Sequence, residues 1–369
     1  MVKILHELAS LDGGGVAKLL YDYYRNMEDK KEIQFDFLIY DFYENGIYEE
    51  ALKKMGCVIY KIPSFKKDRK ASLDAMESII RQGKYDVVHS HRCTRGIFAL
   101  WFAKKYGVQR RIVHSHIAYE DIGKTAKAIN KILGLINRHL ATDLFACGVD
   151  AARYMWGERC LNDNKIHIMT NAINTLEFKF DIMMRNRKRQ ELGIAEKYTI
   201  ASVGRLNRQK NQAFLIRVFS KVLKKSNDVV LVFAGRGEDE VYLKKLCEDL
   251  RIANQVMFLG IRDDIPKLIN AFDLLAMPSL YEGLPVSVVE AQANGLKVLV
   301  SDTVTREVAV TELIQYLPLD EETWIKSIYD EINKNAGINR ESYASKVAKA
   351  GYEIKVESMK MQEYYLHGK

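Results

Sequence analysis

Two carboxylates, Glu282 and Glu290, bracket the turn Gly283-Leu284-Pro285-Val286 in SLYEGLPVSVVEAQANG. Pro285 has a fixed φ and no N–H, which suits the first turn of a helix. The helix is therefore predicted to start there, with Gly283 and Leu284 leading in and Glu282 just outside. Glu290 falls five residues past Pro285, roughly 7.5 Å along the axis. A helix start offers unpaired N–H groups and the positive end of a dipole, so it favours anions. A carboxylate beside it needs a hydroxyl-rich or cationic neighbour, and carboxylates accept well from vicinal hydroxyls. A sugar joined to a phosphate meets both demands.

A second stretch, SVGRLNRQKNQAFL, places Arg205 and Lys210 just after Gly204 and ahead of a helix beginning near Asn211. Arg supplies a planar fork and Lys a point charge, so the pair suits a diphosphate; a solvated loop is the other reading. In LDGGGVAK, Gly13, Gly14 and Gly15 either make a tight strand-to-helix turn or let the backbone approach a ligand. The pattern is not GxGxxG, which disfavours a nicotinamide dehydrogenase. HSHRCTRG and HSHIAYED set His89, His91, His114 and His116 at two strand ends, alternate residues pointing the same way. Each is either a structural histidine or a pocket residue, and His116 is the preferred candidate for the pocket. No carboxylates or cysteines are placed to complete a metal-ligand set with them, so no metal is expected.

The elements that position these loops follow from an alternation. Short β-branched runs such as VKILHEL, FDFLIY, DVVHSH and DLFACG are separated by helical stretches such as VAKLLYDYYRNM and GIFALWFAKKYG. After the basic stretch DIMMRNRKRQELGIAEK the alternation restarts at YTIASVG and runs to KVLVSD. Continuous apolar strands between amphipathic helices predict an α/β chain with parallel sheets covered on both faces. The restart predicts two such domains, with a linker around residues 174–196. In open parallel sheets ligands bind beyond the carboxyl ends of strands, where all four stretches lie.

Composition narrows the class. Hydrophobic residues are 48% and charged residues 28% of 369, a globular balance. The opening MVKILHELASLDGGG reads as a buried first strand rather than a signal peptide, and no apolar run is long enough to span a membrane. Five scattered cysteines without CxxC spacing predict neither a disulfide framework nor structural zinc, and a cytoplasmic protein. Net charge is −4 over residues 1–60, +10 over 61–180 and +2 over 181–369. That basic middle is a solvated face, an anionic lipid contact or a phosphorylated-substrate contact. No nucleic-acid signature accompanies it, so no nucleic-acid partner is expected.

Taken together, GRLNRQKN, VLVFAGRGEDE and VMFLGIRDDIPKLINAFDLLAMPSLYEGLPVSVVEAQANGLKVLVSD resemble the C-terminal half of glycosyltransferase family 4. LDGGGVAK, YDVVHSHRCTRGIFALWFAKKYGVQRRIVHSH and KIHIMTNAINTLEF resemble its N-terminal half, so the likeness covers nearly the whole chain. The resemblance implies the GT-B fold, two Rossmann-like parallel-sheet domains facing a central cleft. Residues 1–175 plus a C-terminal helix of about 350–369 would form the acceptor-side domain, and 176–349 the donor-binding domain. It implies a retaining hexosyltransferase that needs no metal or other cofactor and takes a nucleotide-sugar donor, UDP-sugar favoured. The HSH and FAC details are closest to members that build exopolysaccharide or capsule, with a glycan or lipid-linked glycan acceptor.

By the same resemblance, Arg205 and Lys210 would neutralise the donor diphosphate, Glu290 would hold the ribose and Glu282 would lie over the sugar. Backbone N–H groups of Gly283, Leu284 and Val286, around Pro285, would meet phosphate or sugar. Gly260, Ile261 and Arg262 would border the base, Gly14 and Gly15 would approach the phosphate, and His116 would face the reaction centre. The chain departs from the family pattern at Ala17, followed by Lys18, where the usual Gly-Gly-x-Glu carries its acidic residue, and at Gly148, where serine is usual. The segment IGKTAKAINKILGLINRHL carries Ile129, Ile132, Leu133 and Ile136 at helical spacing, among Lys124, Lys127, Lys131 and Arg138. It is expected either to face anionic lipid or a lipid pyrophosphate acceptor, making the protein peripheral to the membrane, or to pack on the first sheet. The alternative function is a non-catalytic, nucleotide-sugar-binding partner of another transferase.

Overall fold

The computed structural model describes residues 1–369 except 13, 29, 43–45, 119–122, 163–164, 335–338 and 369. Gly13 therefore lies outside the described residues, and of the Lys124 side chain nothing is said. The chain forms two compact units: Met1–Ala172 with Ile354–Lys369, and Ile173–Glu353.

The first unit holds β1 (Val2–Glu7), β2 (Ile33–Tyr40), β3 (Ile59–Ile62), β4 (Val87–Ser90), β5 (Arg110–Ser115), β6 (Asp143–Ala146) and β7 (Ile166–Ile168). They form one sheet in the order β3-β2-β1-β4-β5-β6-β7, with every pairing parallel. Register sets His6 opposite His89 and Glu7 opposite Ser90. One face is buried under helix Gly15–Asn26 and the C-terminal helix Ile354–His367, through Leu20, Tyr24, Phe35, Met361 and Tyr365. The other is buried under helices Arg69–Gly83 and Ile97–Lys105, through Leu38, Met76, Val88 and Phe102. Asp68 starts the first of these by accepting from the Ala71 N–H at 2.9 Å.

The second unit holds β8 (Tyr198–Val203), β9 (Val229–Ala234), β10 (Val256–Phe258), β11 (Leu274–Met277), β12 (Lys297–Ser301) and β13 (Ile314–Leu317). Their order is β10-β9-β8-β11-β12-β13, again wholly parallel. β9 and β11 are buried throughout and β8 and β12 nearly so, which is why these runs read as continuously apolar.

One expectation is overturned. The basic stretch taken for a linker is helix Ile182–Glu191, capped by Asp181 and packed within the second unit. Arg185 Nη2 and Arg189 Nη1 grip opposite oxygens of Asp273 at 2.5 and 3.0 Å. Asp273 in turn accepts from the Thr199 N–H at 2.8 Å, which clamps the helix to the starts of β8 and β11. Its cations are therefore structural.

In each sheet the strand order reverses once, between β1 and β4 and between β8 and β11. Loops leaving the carboxyl ends diverge at such points and leave a crevice for ligands. Those four loops carry Gly14, Arg92, Arg205 with Lys210, and Glu282.

Candidate functional site

The switch point of the second unit is assembled by backbone contacts that only glycine permits. A Cβ on Gly235, which has φ +147°, would lie 2.0 Å from the Gly204 carbonyl oxygen, and one on Gly237 equally close to the Leu206 carbonyl. The loops after β8 and β9 therefore lie backbone on backbone, with the Leu206 N–H donating to the Arg236 carbonyl at 3.2 Å. The third loop joins at Gly260, whose carbonyl accepts from the Gly235 N–H at 2.8 Å. The run FAGRGED carries part of the family resemblance, but its sequence alone did not show that its glycines set this backbone contact.

Lys210 ends the short turn Arg208–Lys210, where the Asn207 side chain accepts from its N–H at 3.1 Å. Asn211 then takes the left-handed conformation, φ +55°, and helix Gln212–Val222 begins. The Lys210 side chain runs back over Gly204, and its Nζ meets Glu282 Oε1 at 2.7 Å in a mostly buried pair. The loops are fastened independently of that pair: the Leu280 N–H donates to the Gln209 carbonyl at 2.8 Å, and Gln209 Nε2 donates to the Tyr281 carbonyl at 2.9 Å. Thr303 Oγ1 and Ser301 Oγ both donate to the Ser279 carbonyl from the β12 side. Sequence reading treated Lys210 and Glu282 as separate contacts, whereas the structure makes them one ion pair.

Helix Val286–Ala293 begins one residue later than predicted, with Pro285 as its N-cap at φ −71° and ψ 109°. Pro285 has extended ψ, so the helical bonds start from its carbonyl, which accepts from the Val288 N–H at 3.1 Å. No side chain caps this end, and Gly283, Leu284 and Val286 lead into it. Glu290 is buried at the helix's fifth residue.

Arg205 reaches Glu238 at 3.3 Å with both side chains exposed, an ion pair that is weakly held in water. Arg262 forks onto Asp264 at 2.7 and 2.8 Å, and Asp264 also takes Lys188 at 2.9 Å. Bonded first by Arg262, the Asp264 carboxyl is held at about 2. The Arg262 guanidinium is thus committed to its own loop, and Ile261 beside it is exposed.

In the first unit the four expected histidines come together with a fifth, His6. His6 Nδ1 lies 3.0 Å from His91 Nε2, and His91 Nδ1 lies 3.0 Å from His116 Nε2. Alongside, Tyr365 Oη lies 2.6 Å from His89 Nδ1, whose Nε2 is 3.2 Å from His114 Nδ1. Burial holds His6 and His116 at about 3, and His89, His91 and His114 well below the usual imidazole range. All five rings are neutral at pH 7, so each can donate from one nitrogen and accept at the other along the row. His6 was missed because a lone histidine inside VKILHEL carries no local sign of its partners.

Among the described residues no carboxylate or cysteine joins these rings, but the rings themselves cluster. Ring nitrogens of His6, His89 and His91, and of His91, His114 and His116, lie within 4.8 Å of one another. Imidazole groups of this kind suit zinc, copper or nickel.

Gly14 is the N-cap of helix Gly15–Asn26, at φ −63°. A Cβ on Gly15 would meet nothing within 4 Å, so the fold itself does not demand glycine there. Ala17, the departure from the family pattern, is buried, and Lys18 beside it pairs with Asp22 at 2.8 Å. Next to the histidines, Glu7 is fully buried and accepts from Ser90 Oγ at 2.6 Å and Tyr40 Oη at 2.7 Å, joining the ends of three strands. Burial raises its carboxyl, with the Arg92 charge opposing.

Two doubly wound parallel-sheet units, the second with a Lys–Glu pair beside an uncapped helix start, define a transferase of the GT-B class. Comparison with known proteins agrees. The family described as "Glycosyl transferases group 1" matches residues 184–334. EpsF of Bacillus subtilis (strain 168), named as a glycosyltransferase, is 31% identical over 336 residues, covering 88% of this chain and 86% of that protein. An Escherichia coli UDP-Gal:alpha-D-GlcNAc-diphosphoundecaprenol alpha-1,3-galactosyltransferase is 29% identical over 242 residues, 64% of this chain and 62% of that one. Among solved structures, Anabaena Alr3699/HepE in complex with UDP and glucose superposes with a TM-score of 0.78 at 17% identity, over 98% of this chain and 99% of that one. The chain belongs to the group 1 glycosyltransferases, and it is a glycosyltransferase.

Proposed function

We propose that the protein moves a hexosyl group, with retention, from a nucleoside-diphosphate sugar to a lipid-linked glycan acceptor in exopolysaccharide or capsule synthesis. The Lys210–Glu282 pair carries this reading. It sets a cation and a carboxylate side by side at a switch point, beside an uncapped helix start. The cation and the helix N–H groups suit the diphosphate, and the carboxylate suits sugar hydroxyls. A UDP donor is favoured because the E. coli relative is named for UDP-Gal and the Anabaena structure holds UDP. A lipid-linked acceptor is favoured because that relative's name specifies a diphosphoundecaprenol substrate.

In this reading the acceptor oxygen bonds to the anomeric carbon as the bond from that carbon to the β-phosphate oxygen breaks. The acceptor's proton passes to the departing phosphate, on the same face of the sugar. Negative charge grows on that phosphate, and Lys210, Arg205 and the N–H groups at Val286 stabilise it without a metal. Glu290 holds the ribose and Glu282 the sugar. The enzyme works on the cytoplasmic side, peripheral to the membrane.

The test is nucleotide release from a panel of UDP- and GDP-sugars, with and without membrane extract and without added divalent metal. Release that Lys210→Ala leaves unchanged overturns the diphosphate role.

A further inference from the structure

The first unit contains a cavity of about 770 Å³ that nothing above has used. Its size falls within the range of small-molecule sites, roughly 300–1,000 Å³. It opens beyond the carboxyl ends of β2, β3 and β4, between helices Ile97–Lys105 and Lys124–Leu140. Phe65, Phe98, Trp101, Leu133, Ile136 and Leu140 give it an apolar wall. Lys66, Arg92 and Arg95 line it too, and among the described residues no carboxylate does.

Arg92 is the informative cation. Its guanidinium lies over the Tyr40 ring at 4.3 Å, and its buried Nη1 has no hydrogen-bond partner among the described residues. Glu7 is close enough for the two charges to attract, but its carboxylate takes its hydrogen bonds from Ser90 and Tyr40. A buried guanidinium N–H without an acceptor is costly and is made good by an anion.

The helix beside the cavity settles part of the open question about its apolar stripe. Ile129, Ile132 and Leu135 are 51%, 58% and 54% exposed, so they do not pack on the sheet. Leu133 and Ile136 face the cavity instead, while Gly134 lets the helix approach the Met155 carbonyl. Trp101, across the cavity, is 48% exposed. A flat lipid surface would explain an exposed stripe, but not a concave pocket with an unsatisfied guanidinium in its wall. One hydrocarbon chain ending in a phosphate group explains both.

We propose that this cavity takes the hydrocarbon chain of a lipid diphosphate acceptor, with Arg92 holding its phosphate and Arg95 and Lys66 assisting at the rim. The proposal rests on the lipid-linked acceptor reading above and assigns the lipid to particular residues. Each methylene removed from water contributes about 0.8 kcal/mol, or roughly fourfold in affinity. Chain length should therefore govern binding until the cavity is full.

Trp101 offers a direct readout, because it is half-exposed while Trp156 and Trp324 are buried. The full-length protein is titrated with a dispersed prenyl diphosphate, with inorganic diphosphate, and with vesicles of anionic phospholipid. The prenyl diphosphate should shift Trp101 emission to the blue and bind about tenfold or more tighter than inorganic diphosphate. Ile136→Asp, at an exposed helical position, should erase that advantage, and Arg92→Gln should weaken both diphosphate ligands. Trp101→Phe should remove the shift. Equal affinity for prenyl and inorganic diphosphate, or an equal shift with the vesicles, overturns the proposal. So does insensitivity to Ile136→Asp in a variant whose melting temperature is unchanged. Donor turnover is followed separately by nucleotide release in the absence of acceptor, so failure of glycosyl transfer is distinguishable from failure of the lipid site.

Discussion

Lys210 Nζ and Glu282 Oε1 meet at 2.7 Å across the β8 and β11 loops, so the cation at this site is already partly neutralised by the chain's own carboxylate. A bound diphosphate must share Lys210 with Glu282, or displace it. Lys210→Ala should lower kcat/KM about 100- to 1,000-fold, the range for loss of one fixed stabiliser of developing charge. Glu282→Gln keeps the shape and releases Lys210. It should leave UDP affinity unchanged or tighter while kcat falls, as steady-state kinetics with a UDP titration would show. Loss of UDP affinity in Glu282→Gln would mean that the carboxylate orients Lys210 rather than touching sugar.

The glycines separate fold from ligand. A methyl on Gly235 would strike the Gly204 carbonyl, and φ +147° is poorly suited to any L side chain. Gly235→Ala should therefore lower the melting temperature and weaken UDP binding together. Gly15→Ala meets only open space, so its melting temperature should stay at the wild-type value while transfer activity drops. Full activity in Gly15→Ala would remove that residue from the donor site.

The histidine row predicts acid sensitivity. Folded His6 and His116 sit at about 3, and His89, His91 and His114 beside them are also depressed, against an unfolded value of about 6.5. Below pH ~6.5 the unfolded chain binds more protons than the folded one, so stability falls with pH. The contribution is complete above ~6.5 and is lost as pH drops toward about 3. A fully buried ring contributes up to about 1.4 kcal/mol per pH unit in that window. Melting temperature measured from about pH 7 to about pH 5 should fall clearly, and less so in His6→Gln. Equal melting temperatures at both ends would contradict the neutral, buried row.

Asp273 serves as a structural control. It receives Arg185 and Arg189 at 2.5 and 3.0 Å, and its loss leaves two partly buried guanidinium groups short of a counter-charge. Asp273→Ala should destabilise the protein by about 3 kcal/mol. At a temperature where the variant stays folded, its UDP affinity should match wild type.

The two sheets were legible because strands buried on both faces leave continuous apolar runs, and period is a local property of sequence. The switch-point loops were legible too, since Arg205, Lys210 and the Glu282–Glu290 pair directly follow such runs. Long-range pairing was not. The arginines of Ile182–Glu191 read as a linker because Asp273, which holds them, lies far away in sequence. His6 read as one strand residue because its companions sit on β4 and β5. The apolar stripe at Ile129–Ile136 was ambiguous because helical spacing marks a face without saying what it meets; the structure leaves Ile129 and Ile132 exposed and turns Leu133 to a cavity.

The most direct measurement is a crystal structure of the protein soaked with UDP. The account predicts diphosphate oxygens within hydrogen-bonding distance of Lys210 Nζ and of the N–H groups leading into Val286, with the ribose hydroxyls on Glu290. Nucleotide bound away from the β8–β11 switch point, with Lys210 still paired to Glu282 alone, would contradict it.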